Sequence, residues 1–305
     1  MIDYIVLLLA IMCFTAQFAF TKLYESAVRQ TMVTALVMLI VTSLIGMLLF
    51  LFIGGFHVQT TRISVILAVL FALVMIPYYM IGIRVLSLGS LAIYSMFMML
   101  GGMLVPFFYG IIFLHETISI GKILGTVLLS LFIILQAIGQ NSPTENHPSE
   151  STKKRKHLFF VFCLLIFLLN GLTGVIAKAH QISEGAVDEI SFTVISCGSI
   201  ATLSLVLLIF AFLKNQNEKF AQVKTILKRR PLWIMVLLGS AAYAGNFLHL
   251  KAASNIPASV QFPLVSGGVI VLSALVSAFL FKEKISKKEW ISVAGAFAST
   301  ILFAF

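Results

Sequence analysis

The sequence predicts an all-α integral membrane protein of ten transmembrane helices, arranged as two inverted five-helix repeats. Three observations carry that expectation. Apolar residues make up 60% of the chain and charged residues 10%, where a soluble domain carries about 25% charged residues. Ten apolar runs follow one another along the chain, each near the ~20 residues that a helix needs to cross ~30 Å of hydrocarbon. One long segment also occurs twice.

The first run, residues 3–21, is preceded only by Met1, Ile2 and Asp3. With no positively charged stretch before it, it is expected to stay as the first span and not to be cleaved as a signal peptide. It holds Phe14 and Gln17 and closes on FAFTK, ending at Lys22. The second run is 32–53, and the third, 63–83, holds Tyr79 and Pro77; an internal proline frees a carbonyl from its helical bond. The fourth, 88–114, holds Tyr94 and the pair Gly101-Gly102. Such a pair can be a hinge, a close helix crossing or a place where substrate meets bare backbone. The fifth, 118–139, carries Gly121-x-x-x-Gly125, small residues that let helices approach closely.

Residues 141–157, NSPTENHPSESTKKRKH, are rich in Ser, Pro, Asn and charge, the composition of a flexible linker. They divide a first repeat, 1–140, from a second, 158–305. The sixth run, 158–177, holds Asn170 and Thr173 and closes on GVIAK at Lys178; the seventh is 189–213. After a charged stretch from 214 to 230 come the eighth, 232–250, with Asn246 and His249, and the ninth, 256–281, with Gln261, Pro263 and Gly267-Gly268. The tenth, 287–305, has Ser292, Gly295, Ala296 and Ser299. All ten read as helices, since barrel strands would be ~10 residues of strict alternation. Cys13, Cys163 and Cys197 are far apart inside apolar runs, which offers neither a disulfide framework nor a zinc spacing.

The duplicated segment is SLGSLAIYSMFMMLGGMLVPFFYGIIFLHETIS at 87–119 and SNIPASVQFPLVSGGVIVLSALVSAFLFKEKIS at 254–286, aligned without a gap at an offset of 167. Ser87, Gly101, Glu116 and Ser119 fall on Ser254, Gly268, Glu283 and Ser286, and Arg84 falls on Lys251. The openings of the repeats match at an offset of 156, with Lys22 on Lys178. A unit with an odd number of spans, once duplicated, inserts its second copy upside down, giving a pseudo-two-fold axis in the membrane plane. Lys and Arg number 17 in the connections after the odd-numbered spans and 4 on the other side. The positive-inside rule therefore puts the odd-numbered connections in the cytoplasm and both termini outside. Most of the +10 net charge is thus a topology feature, and the basic runs, which abut spans, are not read as a nucleic-acid surface.

The ten spans, the duplicated unit, and the HETIS and KEKIS segments at 115–119 and 282–286 with Gly125 and Gly295 behind them resemble the drug/metabolite transporter superfamily, in particular its ten-span EamA-type permeases. The chain departs from that family's pattern in two ways: His115 and Lys282 stand where the family often has Gly, and Pro106 and Pro263 are not at equivalent repeat positions. The family is also usually described with both termini in the cytoplasm, against the charge count. The resemblance implies transport by alternating access, with spans 1, 3, 4, 6, 8 and 9 around a central cavity and spans 5 and 10 as outer support.

Polar groups inside apolar spans cost free energy in lipid and face a bundle or water. With the repeat as a filter, the candidate substrate-binding residues are Tyr79 with Asn246, Tyr94 with Gln261, Gln17 with Thr173, and Phe14 with Asn170. Each polar member has a plainer reading, a bond to a neighbouring helix. All eleven acids lie at span ends or in connections, so a carboxylate-dependent proton exporter is not supported. His249 joins the candidates as a group within a span whose pKa lies near neutrality; His180, near the membrane edge, is a weaker one. Lys22, Lys178, Arg84 and Lys251 at span ends either snorkel into headgroups or attract anionic and zwitterionic solutes.

The expected function is a secondary transporter of a small polar or zwitterionic metabolite, such as an amino acid, working as an exporter. Uptake of a sugar- or nucleoside-like solute, or a non-transporting membrane scaffold, is the alternative. No nucleophile–base pair, H-x-x-x-H or H-E-x-x-H occurs, so neither an enzyme activity nor a metal or other cofactor is expected. Expected partners are the small-molecule substrate and membrane lipids, with no nucleic acid. The protein is placed in the cell (cytoplasmic) membrane as a multi-pass monomer or homodimer.

Overall fold

In lipid, backbone N–H and C=O groups find no water, so an apolar run must satisfy them within itself and becomes a helix. A computed structural model describes residues 2–28, 31–88, 91–139, 150–213, 222–253, 255–280 and 287–302, and among these it is built on ten helices of fifteen residues or more. They are α1 (Ile2–Ala27), α2 (Met32–Ile53), α3 (Arg62–Leu88), α4 (Leu91–Phe113), α5 (Ile120–Gly139), α6 (Glu150–Ile182), α7 (Glu189–Leu213), α8 (Arg229–Ala253), α9 (Ala258–Phe279) and α10 (Lys287–Ile301). Seven of them, α1, α2, α3, α6, α7, α8 and α9, are long and apolar enough to cross a membrane. The apolar stretches of α4 and α5 are shorter, Phe97–Phe113 and Ile120–Leu135. Multi-pass membrane insertion follows from those seven.

The helices coincide with the apolar runs but several outrun them. α6 is 33 residues, about 50 Å at ~1.5 Å per residue, and from Glu150 onward it takes up the last part of the stretch expected as linker. Residues 140–149 lie outside the described residues, as do Lys282 and Glu283.

Side chains fix where several helices begin. Thr31 precedes α2, its hydroxyl accepting from the Thr34 N–H at 3.2 Å while its own N–H donates to the Thr34 hydroxyl at 2.6 Å, a reciprocal cap. Asp188 precedes α7 and accepts from the N–H groups of Ile190 and Ser191, each at 3.0 Å. At α9 the cap comes from far away in sequence: the Glu116 carboxylate accepts from the Ala258 N–H at 2.8 Å and the Ser259 N–H at 2.9 Å.

The chain forms two compact units, and these do not coincide with the two sequence repeats. One comprises residues 1–80 and 176–255, the other 81–175 and 256–305. In the first unit α1 packs along α8 and α2 along α7. α1 and α8 are antiparallel, Phe14 lying at Gly245 and Asp3 at Asn255. α2 and α8 run in the same direction, with Thr42 at Gly239, Gly46 at Tyr243 and Phe50 at Phe247. Tyr24, Val28, Val37 and Met38 pack with Met235 and Leu238 in one core cluster, and Leu36, Leu39, Ala72, Ile76 and Ile200 form another. The second unit packs α5 along α10 and α4 along α9, over a core of Leu100, Met103, Leu129, Ile133, Ile270 and Ala296.

Candidate functional site

The first unit holds Gln17, Tyr79, Asn246 and His249, and the second holds Tyr94, Asn170, Thr173 and Gln261. Of the repeat-related pairs, Tyr79 with Asn246 falls in one unit and Tyr94 with Gln261 in the other. Gln17 with Thr173 and Phe14 with Asn170 are divided between the two.

The polar centre of the first unit is a residue that the repeat filter passes over. Tyr243 of α8 lays its ring on Gly46 of α2, where an added Cβ would meet ring carbons at 2.6 Å. From there its hydroxyl reaches the Ser43 hydroxyl at 2.9 Å. Ser43 is fully buried, so α2 and α8 hold a hydroxyl pair inside the unit. The repeat equivalent of Tyr243 is Ile76, which is why a search for paired polar positions discards it. Tyr79 itself sits edge-on to Tyr78, ring centroids 5.3 Å apart.

From Tyr243 the polar residues on α8 recur at every third position, Asn246 and then His249. That spacing keeps them on one broad face, each about 4.5 Å further along the helix. The Asn246 amide donates to the Ala242 carbonyl of its own helix at 2.9 Å. His249 meets Phe14 of α1 edge to face, centroids 5.9 Å apart at 77°. Gln17 lies half-buried on α1, one turn from Phe14.

Where α3 begins and α6 ends, His180 is a structural pin. Its ring stacks on Phe192 at 3.7 Å between centroids, and its Nε2 is 3.1 Å from the Ser64 hydroxyl, which also accepts the Val187 N–H at 3.0 Å. Beside it, outside the membrane-spanning segments, Asp188 sits below its ordinary pKa. Partial burial pushes it up, but the Ser191 hydroxyl at 2.7 Å and the two N–H bonds to its carboxylate outweigh that.

In the second unit Asn170 of α6 donates to the Met98 carbonyl of α4 at 2.7 Å, the helix-to-helix bond offered by its plainer reading. Thr173 donates to the Asn170 carbonyl at 2.7 Å. Gln261 is fully buried on α9. Tyr94 lies on α4, its side chain outside the described set. Gly101 faces α6 so closely that a Cβ there would lie 2.1 Å from the Phe167 carbonyl oxygen, and Gly171 meets Val105 and Gly101 in the same way. This part of the glycine pair is a close helix crossing.

Among the described residues no three His, Cys, Asp or Glu gather into a metal-binding group. No family model matches the sequence, and no curated protein matches it. Among solved structures, one crystal structure, described only as that of a protein, aligns over 98% of this chain and 95% of its own. The TM-score is 0.68 at 13% identity, a likeness of fold alone.

Proposed function

We propose that this chain is a secondary carrier of the cell membrane, built from ten spans in two inverted repeats, which exports a small polar or zwitterionic metabolite by alternating access. The observation that carries the reading is the polar track of the first unit. Tyr243, Asn246 and His249 follow one another along α8, and the Ser43 hydroxyl of α2 bonds to the first of them. Polar groups inside apolar helices are costly in lipid and face a bundle interior or a water-filled cavity, where solute pathways run.

The helix pairing supports the repeat. α2, α4 and α5 are the repeat counterparts of α7, α9 and α10, and each packs along its own counterpart. Contact between a helix and its own copy is what a pseudo-two-fold relation gives to helices near its axis. The resemblance to EamA-type permeases supports the same class.

The test is flux in proteoliposomes against a labelled panel of amino acids, sugars, nucleosides and quaternary ammonium compounds, with and without a pH gradient. Saturable flux of one class is expected, reduced at least tenfold when Tyr79→Phe and Asn246→Ala are combined. Folded protein that moves nothing in the panel would overturn the carrier reading.

A further inference from the structure

The connection between α7 and α8 carries six cations between residues 214 and 230, more than any other connection. Four of them, Lys224, Lys228, Arg229 and Arg230, lie among the described residues, and all four are exposed. They are not on a loose tether. Residues 222–226 form a helical turn that buries Ile226 completely in the core with Tyr24, Val28 and Met235, and the Thr31 hydroxyl donates to the Gln222 side chain at 3.0 Å. The Leu232 N–H then donates to the Lys228 carbonyl at 3.1 Å as α8 begins. The cations are thereby held at fixed positions where an apolar span starts.

The outer face of α8 is ordered by depth. Pro231 and Met235 are buried, while Arg230, Trp233 and Leu237 are exposed, and their spacing of three and four residues sets them in one row. Arg229, four residues before Trp233, borders the same row. From Arg230 to Leu237 the row runs about 10 Å at ~1.5 Å per residue, from a guanidinium through an indole to an aliphatic side chain. Trp233 is 59% exposed, which suits a ring with an apolar body and one polar N–H to the level where headgroups meet hydrocarbon. No Asp or Glu occurs anywhere in α8, so nothing on the helix itself neutralises the charges. Phosphate, glycerol ester and acyl chain follow one another in a phospholipid in the same order as these three side chains, and a guanidinium fits a phosphate with two parallel bonds.

We propose that Lys228, Arg229, Arg230 and Trp233 form a binding site for an anionic phospholipid, with the cations on its headgroup and the indole at the level of its esters. Clustered cations at the start of a span attract such headgroups. In a zwitterionic headgroup the cation beside the phosphate cancels most of that attraction, so the site discriminates by net charge. It stands apart from the solute site and does not depend on the carrier reading.

The chain has two tryptophans, so Trp290→Phe leaves Trp233 as the reporter. That protein is reconstituted in phosphatidylcholine vesicles containing either brominated phosphatidylglycerol or brominated phosphatidylcholine at equal fraction, and quenching of Trp233 emission is read. Phosphatidylglycerol is expected to be preferred by about fivefold or more, the worth of a single cation near an anionic surface. The preference should fall as salt is added and vanish when Lys228→Gln, Arg229→Gln and Arg230→Gln are combined, while Arg229→Lys with Arg230→Lys should keep most of it. Should the combined variant not fold, the salt dependence decides the same point. Equal quenching by the two lipids would overturn the site, as would a preference unchanged in the combined variant or by salt. Loss of the preference on adding inorganic phosphate at constant ionic strength would mean a site for free phosphate and would overturn the lipid assignment.

Discussion

Tyr243 shows how a single side chain can organise a unit that its own sequence context hides. It stands in an apolar, small-residue stretch, AAYAG, and its repeat partner is Ile76. What fixes it is Gly46, a glycine 197 positions earlier that leaves room for the ring. Tyr243→Phe should keep the ring packed and remove the bond to Ser43, leaving a buried hydroxyl with one partner fewer, at a cost of about 1 kcal/mol. Thermal melting of detergent-solubilised protein checks this.

Asp188 gives a pH-dependent counterpart. An unfolded aspartate titrates near about 3.9, and the folded carboxylate is held lower by its bonds to Ser191 and Ile190. Its stabilisation is therefore complete above that value and is lost as the pH falls through the folded pKa. Asp188→Ala should cost about 1 kcal/mol at pH 7, as the loss of a helix cap does. The gap between the melting points of variant and wild type should narrow below pH 4.

At the scale of elements, the positions of the helices were legible and their ends were not. Hydropathy stops at the first charged residue, but a helix does not: α1 continues past Lys22 to Ala27, and α6 starts at Glu150, well before the run at 158. The charged turns lie where water and headgroups begin, so they carry helix without carrying hydropathy. Glu116 was legible as a marker of the fold that bonds backbone or a basic partner at a helix junction; which backbone it bonds was not. It caps α9, whose first residues lie 142 and 143 positions further on, and Gly110 leaves space for its carboxylate, with a Cβ there falling 2.7 Å from Oε2. Glu116→Ala should destabilise by about 1–2 kcal/mol, since a charged cap is lost at a helix N-terminus.

His115, beside it, takes the left-handed region at φ 53°. That is a conformation glycine adopts freely, and histidine holds it here. Gly101 was legible as a special position with several meanings, and the crossing of α4 and α6 selects one of them. Gly101→Ala would drive a methyl group against the Phe167 backbone, and about 1–3 kcal/mol of destabilisation is expected from such overpacking. Denaturation curves of the variant against the wild type test it.

For the whole molecule, the proposed repeat rests on residue matches at fixed offsets, which a sequence displays directly. The compact units were not, because they are assembled from both repeats: residues 1–80 join 176–255, and 81–175 join 256–305. Packing of α2 on α7 or α5 on α10 is long-range pairing, which no local pattern reports. The same limit hid the bond between Tyr243 and Ser43, while Tyr79, Asn246 and His249 were singled out as candidates from polarity inside apolar runs.

The central claim is that the chain carries a solute and does not merely occupy the membrane. Solute counterflow tests it most directly. Proteoliposomes are loaded with a millimolar unlabelled amino-acid mixture and diluted into trace labelled amino acids, without any ion gradient. A carrier must show a transient accumulation of label above equilibrium, because unlabelled solute inside outcompetes the entered label for the exit site, and this overshoot should be lost when Tyr79→Phe and Asn246→Ala are combined. Label that rises only to equilibrium, or no faster than in protein-free liposomes, would contradict the account.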